Sequence, residues 1–420
     1  MKKNHFWQSA LFASALLFGF TACSSDDNGA QQQNTNQERT LTIAFSTSNS
    51  SIMRATTINS TTDDDSNEKE LKWAVVGIFD GSGNTVKVEL VQEGDATPVG
   101  STTKWPTGTK VITLAAQGLN ANYEVYVVGN PQGAATTPAA GTVAKQLIDA
   151  ANKTAFLNAT SSMEQTLKDE TDATKEREKD FLMIGQGKLV AANPSDGVDY
   201  KAGTIKLYRM VAKVGLTEAK CNLDGTIYAG TEVKIKEIYL DNVPSSQKVN
   251  LVANTDNSYT YSTGLSSDAS PVAYLSTDEF ATAITLDKTT DMTNDYFFYT
   301  MPNAETDKAK ATRLVVKCDF AGTTVYYPIY LNYTWDDTTN PAAPKWTAAS
   351  VANLSYENWT WNGTAREAKK VYPNDYYNVK LAIKSIGVTD PDQDLDPQAV
   401  QVTVSVESWN EISQNATFTN

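Results

Sequence analysis

Histidine is almost missing: His5 is the single one among 420 residues. Beyond that position the chain has no imidazole to act as a general base, to complete a Ser–His triad or to hold a metal. Cysteine is scarce too, with three residues, Cys23, Cys221 and Cys318, and no C-x-x-C spacing supports a metal site. Basic residues are outnumbered, 35 against 49 acidic, for a formal net charge of −14. Nothing would offset phosphate repulsion, which argues against nucleic acid as a partner. No stretch beyond the amino terminus is long and apolar enough to cross a bilayer. Only carboxylate or lysine chemistry remains, so the expectation is a protein that is not an enzyme and carries no cofactor.

What is present fits an exported β-protein. The aromatic share is 10%, mostly Tyr, and Ser/Thr/Asn-rich segments recur. A charged share of 20% is too low for a disordered acidic chain. The length suits two domains of ordinary size.

The amino terminus carries Lys2 and Lys3, then an apolar run from Phe12 to Phe20, then Thr21-Ala22-Cys23 and Ser24-Ser25-Asp26-Asp27. That arrangement resembles a bacterial lipoprotein signal, in which Cys23 becomes the acylated first residue; Phe20 departs from the leucine usual three residues before the cysteine. An ordinary signal peptide with a chance cysteine is the alternative. The acidic pair after Cys23 resembles the surface-export signals of some outer-membrane lipoproteins. Residues 24–38 read as a polar tether.

The stretch RTLTIAFSTSNSSIMRA, Arg39 to Ala55, organises the rest. Leu41, Ile43 and Phe45 alternate with Thr40, Thr42 and Ala44, the pattern of a strand with one buried face. A Ser/Thr/Asn-rich run follows, and Arg54 stands in a polar segment that a protease could reach. A sheet that loses such a strand from its edge exposes unpaired backbone groups and an apolar groove that another chain can fill. The plainer reading is a fixed first strand with an incidental arginine.

Downstream, Leu71–Phe79 and Thr85–Val91 flank the turn Asp80-Gly-Ser-Gly-Asn84 and read as a hairpin. Lys110–Ala116 and Tyr123–Val128 read as another pair. Val143, Leu147, Ile148 and Ala151 recur at helical spacing over about two or three turns. The charged run 168–180 reads as a solvated face. Phe181–Ile184 and Gly187–Val190 resume strand character, and a domain boundary is placed near Gly203. The second half reads as strands at Thr204–Leu216, Thr231–Leu240, Lys248–Val252, Tyr296–Pro302, Arg313–Phe320, Val325–Tyr333, Tyr376–Ile386 and Val400–Val406. The fold expected is mainly β: two antiparallel β-sandwich domains with one or two short helices.

Three constellations invite chemistry. Asp390, Asp392, Asp394 and Asp396 alternate, but an EF-hand loop begun at Asp390 would need Gly at 395 and Glu at 401, where Leu395 and Gln401 stand. An acidic surface loop is the reading, with no metal. Trp335, Trp346, Trp359 and Trp361 could stack on sugars, yet aromatic residues at strand positions are more often packing. Cys221 and Cys318 could pair in an oxidising compartment or remain two buried thiols. The tail Trp409–Asn420 is more telling, with Ile412, Ala416 and Phe418 sharing one parity of a semi-apolar strand. It could tuck against its own domain or fill a neighbour's vacant groove.

Together these features resemble the fimbrillins, the major structural subunits of type V pili of Bacteroidetes-type Gram-negative bacteria. The residues carrying the resemblance are the lipoprotein signal, the first strand followed by Thr47-Ser48-Asn49-Ser50 and Arg54-Ala55, and Tyr326-Tyr-Pro-Ile-Tyr-Leu-Asn332. Pro373-Asn-Asp-Tyr-Tyr-Asn-Val-Lys380 with Ile383-Lys-Ser-Ile-Gly387 and Gln414-Asn-Ala-Thr-Phe418 complete it. Asp375 departs from a basic or amide residue. The resemblance implies transthyretin-like domains and a precursor anchored to the outer membrane by lipid at Cys23. It implies cutting between Arg54 and Ala55 by an Arg-specific protease, with Arg39 the second candidate. Loss of the strand bearing Leu41, Ile43 and Phe45 would open a groove for the donor residues Ile412, Ala416 and Phe418 of another subunit. The product is a head-to-tail homopolymer at the cell surface, joined by accessory fimbrial subunits. The domain plan is a signal peptide at 1–22, a propeptide at 23–54 and domains at 55–202 and 203–420. An anchor, accessory or tip subunit and a monomeric glycan-binding lipoprotein are the rival readings.

Overall fold

The computed structural model describes residues 38–47, 70–94, 103–105, 107–109, 111–168, 180–193, 195, 197–250, 260–289, 292, 294–307, 309–336, 345–347, 369–395 and 400–408. They belong to one compact unit. Cys23, Arg54, Ala55, Asp396, Trp359, Trp361, Ile412, Ala416 and Phe418 lie outside the described residues, as does most of the charged run 168–180.

The first half contains β1 (Glu38–Thr47), β2 (Trp73–Phe79), β3 (Thr85–Glu93), β4 (Thr103–Trp105), β5 (Val111–Gln117), β6 (Glu124–Gly129), β7 (Thr160–Ser162), β8 (Met183–Lys188), β9 (Val190–Ala191) and β10 (Tyr200–Arg209). Among the described residues three short helices lie between β6 and β8: α1 (Val143–Ile148), α2 (Lys153–Leu157) and α3 (Met163–Leu167). One sheet runs β4-β3-β2-β6-β8-β10-β1-β5, with β9 on β10. Strand β10 serves both ends of it, pairing with β1 over Tyr200–Leu207 and with β8 at Tyr208 and Arg209. Side chains from β1, β5 and β10 therefore meet those of β2, β6 and β8 in one core that includes Leu41, Ile43, Leu114, Val76, Val127 and Leu207.

Strand β2 is apolar along its whole length because both of its faces are covered. Ala74, Val76 and Ile78 belong to the core just described, while Val75 and Phe79 pack under Val143 and Leu147 of α1 and Phe156 of α2. Gly77 makes that second contact possible: a Cβ there would lie 2.9 Å from the Phe156 ring. The helices are fixed by local caps, Thr142 for α1, Asn152 for α2, and a Ser162–Gln165 capping box for α3.

The second half contains β11 (Ala212–Cys221), β12 (Val233–Asp241), β13 (Val243–Pro244), β14 (Ser246–Lys248), β15 (Tyr261–Ser262), β16 (Ile284–Leu286), β17 (Tyr296–Thr300), β18 (Arg313–Phe320), β19 (Thr323–Tyr330), β20 (Thr334–Asp336), β21 (Lys345–Thr347), β22 (Asp375–Ile383) and β23 (Val400–Ser408). Two four-stranded sheets, β17-β11-β22-β23 and β16-β12-β18-β19, enclose a second core through residues such as Leu216, Phe298, Leu381, Ile238, Val316 and Tyr327. The register sets Val400, Val402, Val404 and Val406 against the buried Ile383, Leu381, Val379 and Tyr377. The halves are stitched together where β14 pairs with β7. Further ties are the Phe181–Tyr299 ring contact at 4.6 Å and the Arg209 amide donating to Asn374 Oδ1 at 3.1 Å.

The fold is mainly β with several sheets, as the alternation implies, and three local expectations need correction. The segments 110–116 and 123–128 are strands but not partners: β5 pairs with β1, and β6 with β2 and β8. The run 204–216 is two strands in different sheets, broken at Met210-Val211, and the break is hidden in the sequence because residues 207–216 are buried throughout. Strand β10 passes through Gly203, so the change of sheet falls at 210–211. Helix α1 is shorter than its apolar spacing suggests, and α2 and α3 extend the helical layer.

Candidate functional site

The first strand is seated inside its sheet, between β10 and the outermost strand β5. It runs parallel to β10, from Leu41↔Tyr200 to Thr47↔Leu207, and antiparallel to β5, from Glu38↔Gln117 to Ala44↔Val111. The edge position expected of it is corrected accordingly: lifting β1 out would leave a slot with unpaired backbone groups on both walls. The alternation holds in detail, with Leu41 and Ile43 fully buried and Phe45 3% exposed, and Thr40, Thr42 and Ala44 half-buried between them. Burying each of the three apolar side chains contributes about 1.5–3 kcal/mol. Phe45 meets Trp105 of β4 edge-on, at 5.7 Å and 87°.

The amino-terminal half of the seat carries specific polar contacts. Thr40 donates its amide to Asp199 Oδ2 at 2.9 Å and accepts the Asp199 amide at 3.0 Å. Arg39 pairs with Asp199 across 3.7 Å. The hydroxyls of Thr42 and Thr113 lie 3.3 Å apart across the β1–β5 ladder. A bulge on β10 separates Thr42↔Lys201 from Ala44↔Thr204, and Gly203 within it takes φ +69°, a left-handed value suited to glycine. Behind the slot, Gly185 and Gly187 of β8 let β10 lie close, since a Cβ on Gly185 would meet the Lys206 carbonyl at 2.3 Å.

Arg39 lies inside β1, paired through its backbone with Ala116 and half-buried. A protease needs an accessible extended segment, so this arginine is a poor substrate while the strand is seated. Of the residues expected to matter, the structure brings together Leu41, Ile43 and Phe45 and places Arg39 at their amino-terminal end. Sequence alone does not reveal Trp105, Asp199, Ile112 and Leu114 as their seat, because those partners lie 60 residues or more away in the chain.

Other singled-out residues are structural where described. Cys221 and Cys318 are free and buried; burial pushes the Cys221 thiol up to about 11 and the Cys318 thiol further upward. The acidic loop is strapped down: Asp392 accepts from Arg313 at 2.7 Å and Asp394 from the Tyr330 hydroxyl at 2.7 Å. Trp335 and Trp346 are register partners in the β20–β21 hairpin. Among the described residues no helix is long and apolar enough to cross a membrane.

No protein-family model matches the chain, and no curated protein does. Solved structures do. A candidate cell adhesion protein from Bacteroides eggerthii is 18% identical over 90% of this chain and 98% of its own, with TM-score 0.53. Another from Parabacteroides distasonis is 17% identical over 89% of this chain and 100% of its own, with TM-score 0.51. A fimbrilin from Porphyromonas gingivalis is 14% identical over 89% of this chain and 98% of its own, with TM-score 0.53. At these identities the likeness is one of fold, and that fold is fimbrillin-like.

Proposed function

We propose that this chain is a structural subunit of a surface fimbria, built as two transthyretin-like sandwich domains and made as a lipoprotein acylated at Cys23. An Arg-specific protease cuts between Arg54 and Ala55, β1 leaves, and the carboxyl-terminal segment of another subunit takes its place. Accessory subunits complete the fibre, which supports adhesion. The observation that carries this reading is the seat of β1: an apolar strand ladder-bonded on both sides, at the chain's amino-terminal end, ahead of an arginine.

The replacement strand is the tail that follows β23. Residues 409–420 reach about 40 Å when extended, and a slot of ten residues needs about 33 Å. Ile412, Ala416 and Phe418 would supply the apolar parity that Leu41, Ile43 and Phe45 vacate. A strand held by two ladders leaves slowly, which gives the joint kinetic durability. The fold supports a non-enzymatic structural role, since the similar structures are described as adhesion and fimbrial proteins.

The test is the amino-terminal sequence of protein sheared from intact cells, together with its size on an unboiled denaturing gel. A start at Ala55 within a ladder of heat-sensitive multimers is expected. An acylated Cys23 on a single monomer band would instead favour an anchor subunit or a monomeric surface lipoprotein.

A further inference from the structure

The two walls of the β1 slot are held very differently. Strand β5 is the outermost strand on its side, and among the described residues its only strand partner is β1. The seven pairs from Glu38↔Gln117 to Ala44↔Val111 are its whole ladder. Among the described residues its remaining hold is the packing of Ile112, Leu114 and Ala116 into the core that also contains Val76, Trp105 and Val127, and one bond from Lys87 Nζ to the Ala115 carbonyl. Strand β10 is anchored without β1. It pairs with β9 at Tyr200 and Lys201 and with β8 at Tyr208 and Arg209. Met210 donates its amide to Leu182 at 2.8 Å, Arg209 donates to Asn374 at 3.1 Å, and the strand lies tightly over Gly185 and Gly187.

A short strand that loses its single ladder has no backbone partner left, and isolated strands of this length are not stable in water. We propose that β5 is a conditional strand: it keeps its place only while the slot is filled, so any opening that lifts β1 frees β5 as well and leaves β10 as the one fixed edge. Given the strand-exchange reading above, an incoming strand docks first along β10, in the register set by the Gly203 bulge, and β5 then folds down over it. Acceptance of the strand is thus coupled to local folding of β5, and the two segments form one cooperative opening unit.

Native-state hydrogen exchange on the full, uncut chain tests this without fibres or protease, so the result stands apart from the fate of the strand-exchange reading. In the parent protein, the amides of 38–44 and 111–117 that bond across the ladder should open with the same equilibrium constant. Ile43→Ala should speed exchange in both segments by a common factor of about tenfold or more, leaving Tyr208, Arg209 and β11 unchanged. Phe45→Leu, a milder change, does the same on a smaller scale should Ile43→Ala disturb the whole fold. Slow exchange persisting in β5 while β1 accelerates would overturn the proposal. So would acceleration of Tyr208 and Arg209 alongside β1 and β5, because both walls would then depend on β1.

Discussion

Phe45 of β1 stands edge-on to Trp105 of β4, with ring centroids 5.7 Å apart and planes at 87°. Trp105 is 1% exposed, so the indole forms the floor of the slot at the Phe45 position. Trp105→Ala should remove that floor and cost about 3–5 kcal/mol of stability, read from urea unfolding. Trp105→Phe keeps an aromatic edge and should cost much less. A loss below about 1 kcal/mol for the alanine variant would mean that the strand is seated by its ladders rather than by this contact.

The two candidate cut sites separate cleanly by mutation. Arg54→Ala should leave an uncut, lipidated precursor and no fibres on cells, judged by immunoblot and electron microscopy. Arg39→Ala should be processed normally and lose only a half-exposed ion pair to Asp199 at 3.7 Å, worth about 0–1 kcal/mol. Normal fibres from Arg54→Ala would reject that arginine, and a block in Arg39→Ala would move the cut to the seated strand.

Deletion of residues 410–420 should leave β23 and its ladder to β22 in place while removing Ile412, Ala416 and Phe418. Processed monomers without polymer are expected on an unboiled gel. Unchanged multimers would place the replacement strand elsewhere in the chain.

Much of this organisation is local and therefore readable in the residues. The Asp80–Asn84 turn is one case: Asp80 Oδ1 accepts the amides of Ser82 and Asn84 at 2.9 and 2.8 Å, chemistry that needs no distant partner. The alternation of Leu41, Ile43 and Phe45 is another. Where β1 sits is not local. A period-2 pattern is the same on an edge strand as on a central one, and the parallel pairing to β10 joins segments 159 residues apart at Leu41 and Tyr200. The same blindness made neighbours of 110–116 and 123–128, which chain proximity suggests and the sheet order denies. The Ser162–Gln165 capping box was legible in principle, because S-x-x-Q ahead of a helix is a local signature. The fate of the acidic loop was not, since nothing near Asp392 in the chain announces Arg313.

Arg313 is the buried hub of that loop. Its side chain is fully buried, it pairs with Asp241 and with Asp392, and it donates to the Pro391 carbonyl at 2.8 Å. Arg313→Ala leaves Asp241 without its counter-ion in a nearly closed site and should cost about 3–5 kcal/mol. Arg313→Lys should rescue little, because one ammonium cannot reach both carboxylates and the carbonyl in the geometry of a guanidinium fork. Asp392→Asn should cost about 1 kcal/mol or less, since that carboxylate is 73% exposed. Equal urea midpoints for the parent and Arg313→Ala would refute the hub.

The thiols give a pH-dependent prediction. Burial raises Cys221 from 9.0 to about 11, so the unfolded chain gives up that proton before the folded one does. The linkage follows: the contribution of Cys221 to stability is fully present below pH 9 and is lost as pH rises toward 11. Cys318 is shifted in the same direction, by burial first and then by the neighbouring Cys221 and Asp319 charges. Both thiols should resist iodoacetamide at neutral pH in the folded chain and react fully in urea without added reductant. The fall in urea midpoint between pH 9 and 11 should be shallower in Cys221→Ala than in the parent. Absence of reaction in urea would mean that the two cysteines are joined, and identical alkaline slopes would mean that the tyrosines govern that limb instead.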